Sequence, residues 1–449
     1  MNRPWFGGLA AVVGSCLVLT ASSARAAGDP ASAKSVDDVA LSADQLASVT
    51  PLLGSRDGDG PKGMPEAASS SLPQFDTVVN FSDQFIANGV DSRNRPRTVW
   101  PYTMVGQPPQ ANRKTVFNAP VIPVVLEMLD PNGNVAVASN GTVLRQLVTD
   151  EIVDATLRSP VFEPFSFTSG TGQLTEQLMR AEFWDRIRHD GDGDDGGGYR
   201  NVLRASQKRT RTMQVPFGSY AFALNPDGTC CFQVRVEVNT FINLLFPPTE
   251  GDRAFVIGAA QADRDITTRD ISTFLFNAVY LFQGTVNNCC IVGFHSADVE
   301  AGDAANGNRT KLFMMDFSSW VPHHTFAFGF EDIAALSHEM SELVNDPLGN
   351  NPTPWWYAFD PRGGFICQNN LETGDVIEVL SGLPIFAATL NGRTYHIQNE
   401  AMLPWFALQT PSPARLGAYS FPDEKTLTRA APAGVSARCA NVTTPTSTF

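Results

Sequence analysis

Ser337-His338-Glu339-Met340-Ser341-Glu342-Leu343-Val344-Asn345-Asp346-Pro347 is the stretch on which the reading of this chain turns. It has the form HE-x-x-E, one residue away from the HE-x-x-H pattern. In that pattern two ligands one helical turn apart hold zinc, and the Glu beside the first activates a water. On a wheel of about 100° per residue, Ile333, Leu336, Met340, Leu343 and Val344 share one face of a helix running from Glu331 to Asp346. His338 and Glu342 project together from the opposite face, about 40° apart. Glu331 and Asp332 in the first turn suit the helix dipole, and Pro347 ends the helix. The apolar stripe is therefore expected to dock while the two ligand positions face a cleft. The plainer alternative is a solvated helix face that carries His338, Glu339 and Glu342.

A metal needs further ligands. Downstream, Asn370-Leu371-Glu372-Thr373-Gly374-Asp375 offers Glu372 as a third ligand and Asp375 as a carboxylate that orients His338. Asp346 competes for the third position, although it also suits the end of the helix before Pro347. His295, Tyr395 and His396 are candidates for ligation or for stabilising an oxyanion, while His323 and His324 fit structural or solvent-facing roles. Glu339 is the expected general base. A carboxylate at position 342 in place of an imidazole makes the site harder and more anionic, which weakens selectivity for zinc. Zinc is the expected ion and calcium the alternative. The segment from His189 to Gly198 alternates Asp and Gly as calcium loops do. Asp195 stands where such a loop needs Gly, and Asn201 where it needs Glu, so it reads as a solvated insertion.

Residues 1–26 read as a signal peptide: Arg3, an apolar run from Trp5 to Leu19, and Ala24-Arg25-Ala26 as the cleavage site. Val13-Gly14-Ser15-Cys16 loosely resembles a lipoprotein box, but Leu17-Val18-Leu19 continue the apolar run beyond it. No later stretch is long and apolar enough to span a bilayer, so a secreted or periplasmic protein is expected. Losing Arg3 and Arg25 carries the net charge from −14 to about −16, a balance that argues against nucleic acid and anionic membranes. Cys230, Cys231, Cys289, Cys290, Cys367 and Cys439 remain after cleavage. In an exported chain that even number favours disulfides, with each adjacent pair expected to reach elsewhere.

The segment 27–73 is poor in large apolar residues and reads as a disordered linker or pro-segment. A single domain is expected over 74–425, followed by a tail, 426–449. Strands are predicted over Ala119 to Met128, Met213 to Val215, Cys231 to Val238, Ala254 to Ala259 and Lys311 to Phe317. Leu174 to Ile187 has helical spacing, and Ile271 to Phe282 is a more ambiguous helix candidate. Ile385 to Leu390 and Thr394 to Ile397 flank Asn391-Gly392 as a hairpin. The class is α+β with the chemistry on a late helix. The strand from Lys311 is expected to pair with an extended substrate, and Trp355, Trp356, Tyr357, Trp405 and Phe406 are candidates for a glycan platform.

Several blocks together carry a resemblance: Cys289 to Ala297, Leu336 to Glu342 with Asp346-Pro347, Asn370 to Asp375, Leu390 to Glu400, and Leu403 to Phe406. They resemble an uncharacterised family of exported bacterial proteins with a zincin-like helix, over about residues 115 to 422. A fainter similarity, confined to the helix motif and the acidic motif, is to plant phosphate-induced (EXORDIUM-like) secreted proteins. The resemblance implies an extracytoplasmic protein with a zincin-like, metallopeptidase-type core of mixed sheet and active-site helix, stapled by disulfides. The expected function is a secreted zinc-type hydrolase acting on a peptide or cell-envelope polymer. The alternative is a catalytically inactive metal- or glycan-binding protein of the same fold.

Overall fold

A computed structural model describes residues 35–42, 45–46, 75–87, 99–189, 198–326, 329–360, 364–378 and 385–431. The signal peptide, most of 27–73, the Asp-rich loop 190–197, Cys439 and the rest of the tail lie outside the described residues. So do the side chains of Tyr357 and Cys367. The class is α+β, with strand outweighing helix around a curled sheet.

In chain order the strands are β1 (Asn80–Ile86), β2 (Val99–Val105), β3 (Lys114–Met128), β4 (Arg145–Gln146), β5 (Phe165–Phe167), β6 (Gly170–Gly172) and β7 (Arg200–Gln207). There follow β8 (Arg211–Val215), β9 (Tyr220–Ala223), β10 (Gln233–Glu237), β11 (Ile271–Asn277), β12 (Val279–Phe282), β13 (Cys289–Ile291) and β14 (Gly293–Glu300). The last are β15 (Lys311–Trp320), β16 (Pro352–Asp360), β17 (Gly364–Asn370), β18 (Ile385–Leu390), β19 (Arg393–Gln398), β20 (Glu400–Ala401) and β21 (Ser420–Phe421).

The central sheet runs β14-β15-β11-β3-β4, with β7 and β8 also paired to β3. β3 is its backbone: parallel β7 accompanies it as far as Val121, and parallel β8 takes over from Val124. Pro120 and Pro123 fall inside this strand. Proline cannot donate to a ladder, and Pro123 sits at the change of partner. A second sheet, β13-β12-β10-β9, shares an apolar core with β3, β11 and β15 built from Val124, Leu126, Val234, Phe274 and Phe317.

The structure corrects several expectations. Ile271 to Phe282 is two strands, β11 and β12, broken at Ala278 with φ 50°. Its residues from Ile271 to Phe276 are all buried, and a strand covered on both faces has a continuous apolar run that periodicity cannot separate from a helix. Ala254 to Ala259 is not a strand. It overlaps the helix Val256–Ala262, where Gly258 lies tight against the Asp252 backbone. Of Cys231 to Val238, only β10 is strand; Glu237 then caps the helix Val238–Leu245 by accepting the Thr240 N–H at 2.8 Å. The adjacent cysteines do not reach elsewhere: Cys230–Cys231 and Cys289–Cys290 each close on themselves across a cis peptide bond, which sets their Cα atoms 3.0 Å apart. Part of the expected linker is docked, because Val39 is buried and the Leu41 N–H bonds the Phe222 carbonyl at 2.6 Å.

The motif helix spans Ala334–Asn345 and packs against β14, β15 and β19. It begins after Glu331 and Asp332, which bond His323, His324 and His396 instead of lining a first turn. Leu336, Met340, Leu343 and Val344 enter the main core as the wheel requires. β15 is hydrogen-bonded on both sides, to β11 and to β14, so it has no free edge for an extended substrate. Trp356, Trp405 and Phe406 pack edge-to-face inside the core, with ring centroids 5.0 to 6.2 Å apart, and offer no glycan platform.

Candidate metal centre

The face of the motif helix opposite the apolar stripe is neither solvated nor open. His338, Glu339 and Glu342 are completely buried. Three elements bring further polar groups onto them. β14 supplies His295, the segment after β17 supplies Glu372 and Asp375, and β20 supplies Glu400. Each is held at 6 % exposure or less.

Glu342 is the hub. Its Oε1 accepts the backbone N–H groups of Gly374 at 2.9 Å and Asp375 at 3.3 Å, which fixes the carboxylate against the covering segment. Its Oε2 lies 3.0 Å from His338 Nε2 and 3.6 Å from His295 Nδ1, yet neither imidazole makes a directed hydrogen bond to it, and the Glu342 side chain also meets the Glu372 carboxyl. Ion-pair proximity and the absence of a hydrogen bond are both meaningful here, because the His338 contact is close without being directed. Ligand atoms aimed at one shared ion stand in that relation, since tetrahedral bonds of about 2.0–2.2 Å place neighbouring ligand atoms roughly 3.3 Å apart. Both ring nitrogens of His338 are buried without a hydrogen-bond partner, as are Glu339 Oε1, Asp375 Oδ1 and Glu400 Oε1. Leaving so many polar atoms unpaired costs about 1–3 kcal/mol each, a cost that a shared cation would offset.

The remaining atoms are held in place. Glu339 Oε2 meets His295 Nδ1 at 3.4 Å, while its Oε1 lies 4.0 Å from His338 Nε2. His295 Nε2 donates to the Asp346 carbonyl at 3.0 Å. Gln368 donates to Asp375 Oδ2 at 2.7 Å, leaving Oδ1 3.7 Å from His338 Nε2. Asn370 donates to Glu372 at 2.8 Å, and Thr373 to Glu400 at 3.0 Å. Gly374 passes so close to the His338 ring that a Cβ there would overlap it.

Burial pushes Glu342, Glu372 and Glu400 well above the usual carboxylate range, and neighbouring carboxylates push them further. Asp375 rises to about 7, again chiefly through burial. Burial works the other way on His295, but Glu372, Glu339 and Asp346 outweigh it and hold the imidazole up at about 9. Groups displaced in these directions compete for a few protons, and a divalent cation displaces such protons.

Of the residues singled out in the sequence, His338, Glu339, Glu342, Glu372, Asp375 and His295 come together. Asp346 adjoins them, but its carboxylate accepts the N–H groups of Asn350, Asn351 and Leu371, so it anchors loops while its charge still acts on His295. Tyr395 donates to the Ala155 carbonyl and His396 pairs with Asp332, both away from the centre. Glu400 was missed, as was Asp316, which pairs with His295 across β14 and β15. Burial raises Asp316 to about 7, and Thr273 and Ser318 hydroxyls donate to it. An acid in the middle of an apolar strand was the signal available for Asp316.

No protein-family model matches this chain, and no curated protein or solved structure matches it either.

Proposed function

We propose that the protein is an exported metal-dependent hydrolase with a zincin-like core, acting on peptide bonds. The observation that carries this reading is the convergence of unpaired, fully buried ligand atoms around Glu342 Oε2. His338 and Glu342 would hold a divalent ion, with Glu372 and Asp375 supplying the remaining protein oxygens; zinc is the first candidate for it. Bound there, the ion would acidify a water and polarise a carbonyl. Glu339 is placed for the proton: its Oε2 is steadied by His295, and its Oε1 is unpaired on the His338 side. It takes a proton from the attacking water and passes it to the departing amine nitrogen.

One observation favours a second reading, a non-catalytic metal-binding protein. Structural metal sites are closed and catalytic ones keep an open position, and every ligand candidate here is buried. Under the hydrolase reading the segment carrying Leu371 to Glu378 must shift to admit substrate.

Metal content and activity together test both readings. The purified chain should carry a stoichiometric transition metal, and His338→Ala and Glu342→Ala should each lower the metal content. Glu339→Gln should keep the metal and lose cleavage of a peptide library by at least a hundredfold. A Glu339→Gln variant as active as wild type would refute the assigned base. Metal without any cleavage selects the second reading, and a protein that takes up no metal ends both.

A further inference from the structure

Two ligand triads, not one, meet at the centre. His338, Glu339 and Glu342 form the first, and His295, Glu342 and Glu372 the second; in each, the ligand atoms lie within 4.8 Å of one another. Building on the metal-centre reading above, we infer that the site is dinuclear, with Glu342 as the bridging carboxylate between an ion on the His338 side and an ion on the His295 side.

Three observations carry this. The first is the position of Glu342 Oε2 between two imidazoles from different elements, 3.0 Å from His338 Nε2 and 3.6 Å from His295 Nδ1 without a directed hydrogen bond from either. Its other oxygen is committed to Gly374 and Asp375 N–H groups, so the bridging atom is fixed in place.

The second is the arrangement of His295. A carbonyl only accepts, so the Nε2 contact with the Asp346 carbonyl requires a proton on Nε2. Its Nδ1 is left facing Glu339 Oε2 at 3.4 Å and Glu342 Oε2 at 3.6 Å, and a backbone carbonyl on the far ring nitrogen is how metal-bound imidazoles are oriented.

The third is the number of donors. Five buried carboxyl groups, Glu339, Glu342, Glu372, Asp375 and Glu400, surround two imidazoles, more than the four ligands that one tetrahedral ion takes. A shared carboxylate is compatible with the roughly 3.5–4 Å separation of two-metal hydrolytic sites. Five carboxylates against two imidazoles form a hard ligand set, suited to Mn²⁺ as well as Zn²⁺.

The test uses the full-length mature chain, stripped with chelator and reloaded with Zn²⁺ or Mn²⁺ alone. Mass-spectrometric metal analysis after desalting should give two equivalents. His295→Ala should retain one, on the His338 side, and His338→Ala should retain one, on the His295 side. The Mn²⁺-loaded wild type should give an exchange-coupled paramagnetic resonance spectrum in place of the six-line signal of isolated ions. That readout needs no variant, so it decides the matter even where a substitution unfolds the chain. One equivalent, or two with an uncoupled spectrum, overturns the dinuclear centre and leaves the single-ion reading intact. No bound metal overturns both.

Discussion

Two glycines set how tightly the side chains of the centre are wrapped. A Cβ on Gly374 would overlap the His338 ring, and one on Gly293 would stand 2.6 Å from Glu339 Cγ. Neither glycine has the positive φ that a turn would require: the need is close approach. Gly374→Ala should therefore push His338 aside and weaken metal affinity roughly 10–100-fold, measured by competition with a metal indicator on a variant that circular dichroism shows to be folded. Unchanged affinity would mean that His338 is not a ligand. Glu182 illustrates a different residue-scale effect, away from the centre. It is fully buried and bonded by the Leu403 N–H; burial raises its carboxyl from 4.5 to about 8. The folded state thus holds this proton more tightly than the unfolded one. Its contribution to stability is complete below about pH 4.5 and is lost as pH rises through about 8. Glu182→Gln should flatten the decline of stability over that window, read from urea unfolding midpoints at successive pH values. A variant with the same pH slope as wild type would remove Glu182 as the source.

At the scale of elements, the motif helix is tied to its cover by a serine as well as by charge. Ser337 Oγ donates to the Ala334 carbonyl and accepts the Gln398 N–H at 3.0 Å, linking the helix to the end of β19. Ser337→Ala strands a buried N–H, and a loss of about 1–3 kcal/mol is expected by chemical denaturation; a loss below about 0.5 kcal/mol would mean that the link carries nothing. This helix and the β18–β19 hairpin were legible in the sequence because each carries a strong local pattern. The helix has apolar residues at turn spacing. The hairpin has Asn391-Gly392, whose φ angles of 53° and 80° are those a tight turn between twisted strands demands. β11 and β12 were not legible, since burial on both faces erases the alternation that marks a strand. The centre was half legible: His338, Glu339 and Glu342 follow from one helix, and Glu372 and Asp375 from one short motif. His295 and Glu400 join through sheet register and chain reversal, which no local spacing encodes. Asp346 carried the right chemistry but was claimed by three backbone N–H groups.

Across the whole molecule, the centre joins β14, the motif helix, the segment after β17 and β20, which are distant in sequence and share one buried polar core. Under the metal-centre proposal, an ion there would act as a cross-link present only in the folded state. At a thousandfold excess of free ion over the dissociation constant, binding adds about 4 kcal/mol to stability. With about 2.1 cal/mol/K of unfolding entropy per residue, a domain of about 350 residues shifts by roughly 1.4 °C per kcal/mol, so removing the ion should lower the melting temperature by about five degrees. Calorimetry of the zinc-loaded chain and of the same chain in excess chelator gives the comparison directly. His338→Ala, lacking a ligand, should show a much smaller response to chelator than wild type. Acidification should mimic chelation, because the carboxylates and imidazoles must be deprotonated to bind. Should the wild type melt at one temperature in zinc and in chelator alike, the buried carboxyl groups are held together by shared protons, and the centre is not a metal site.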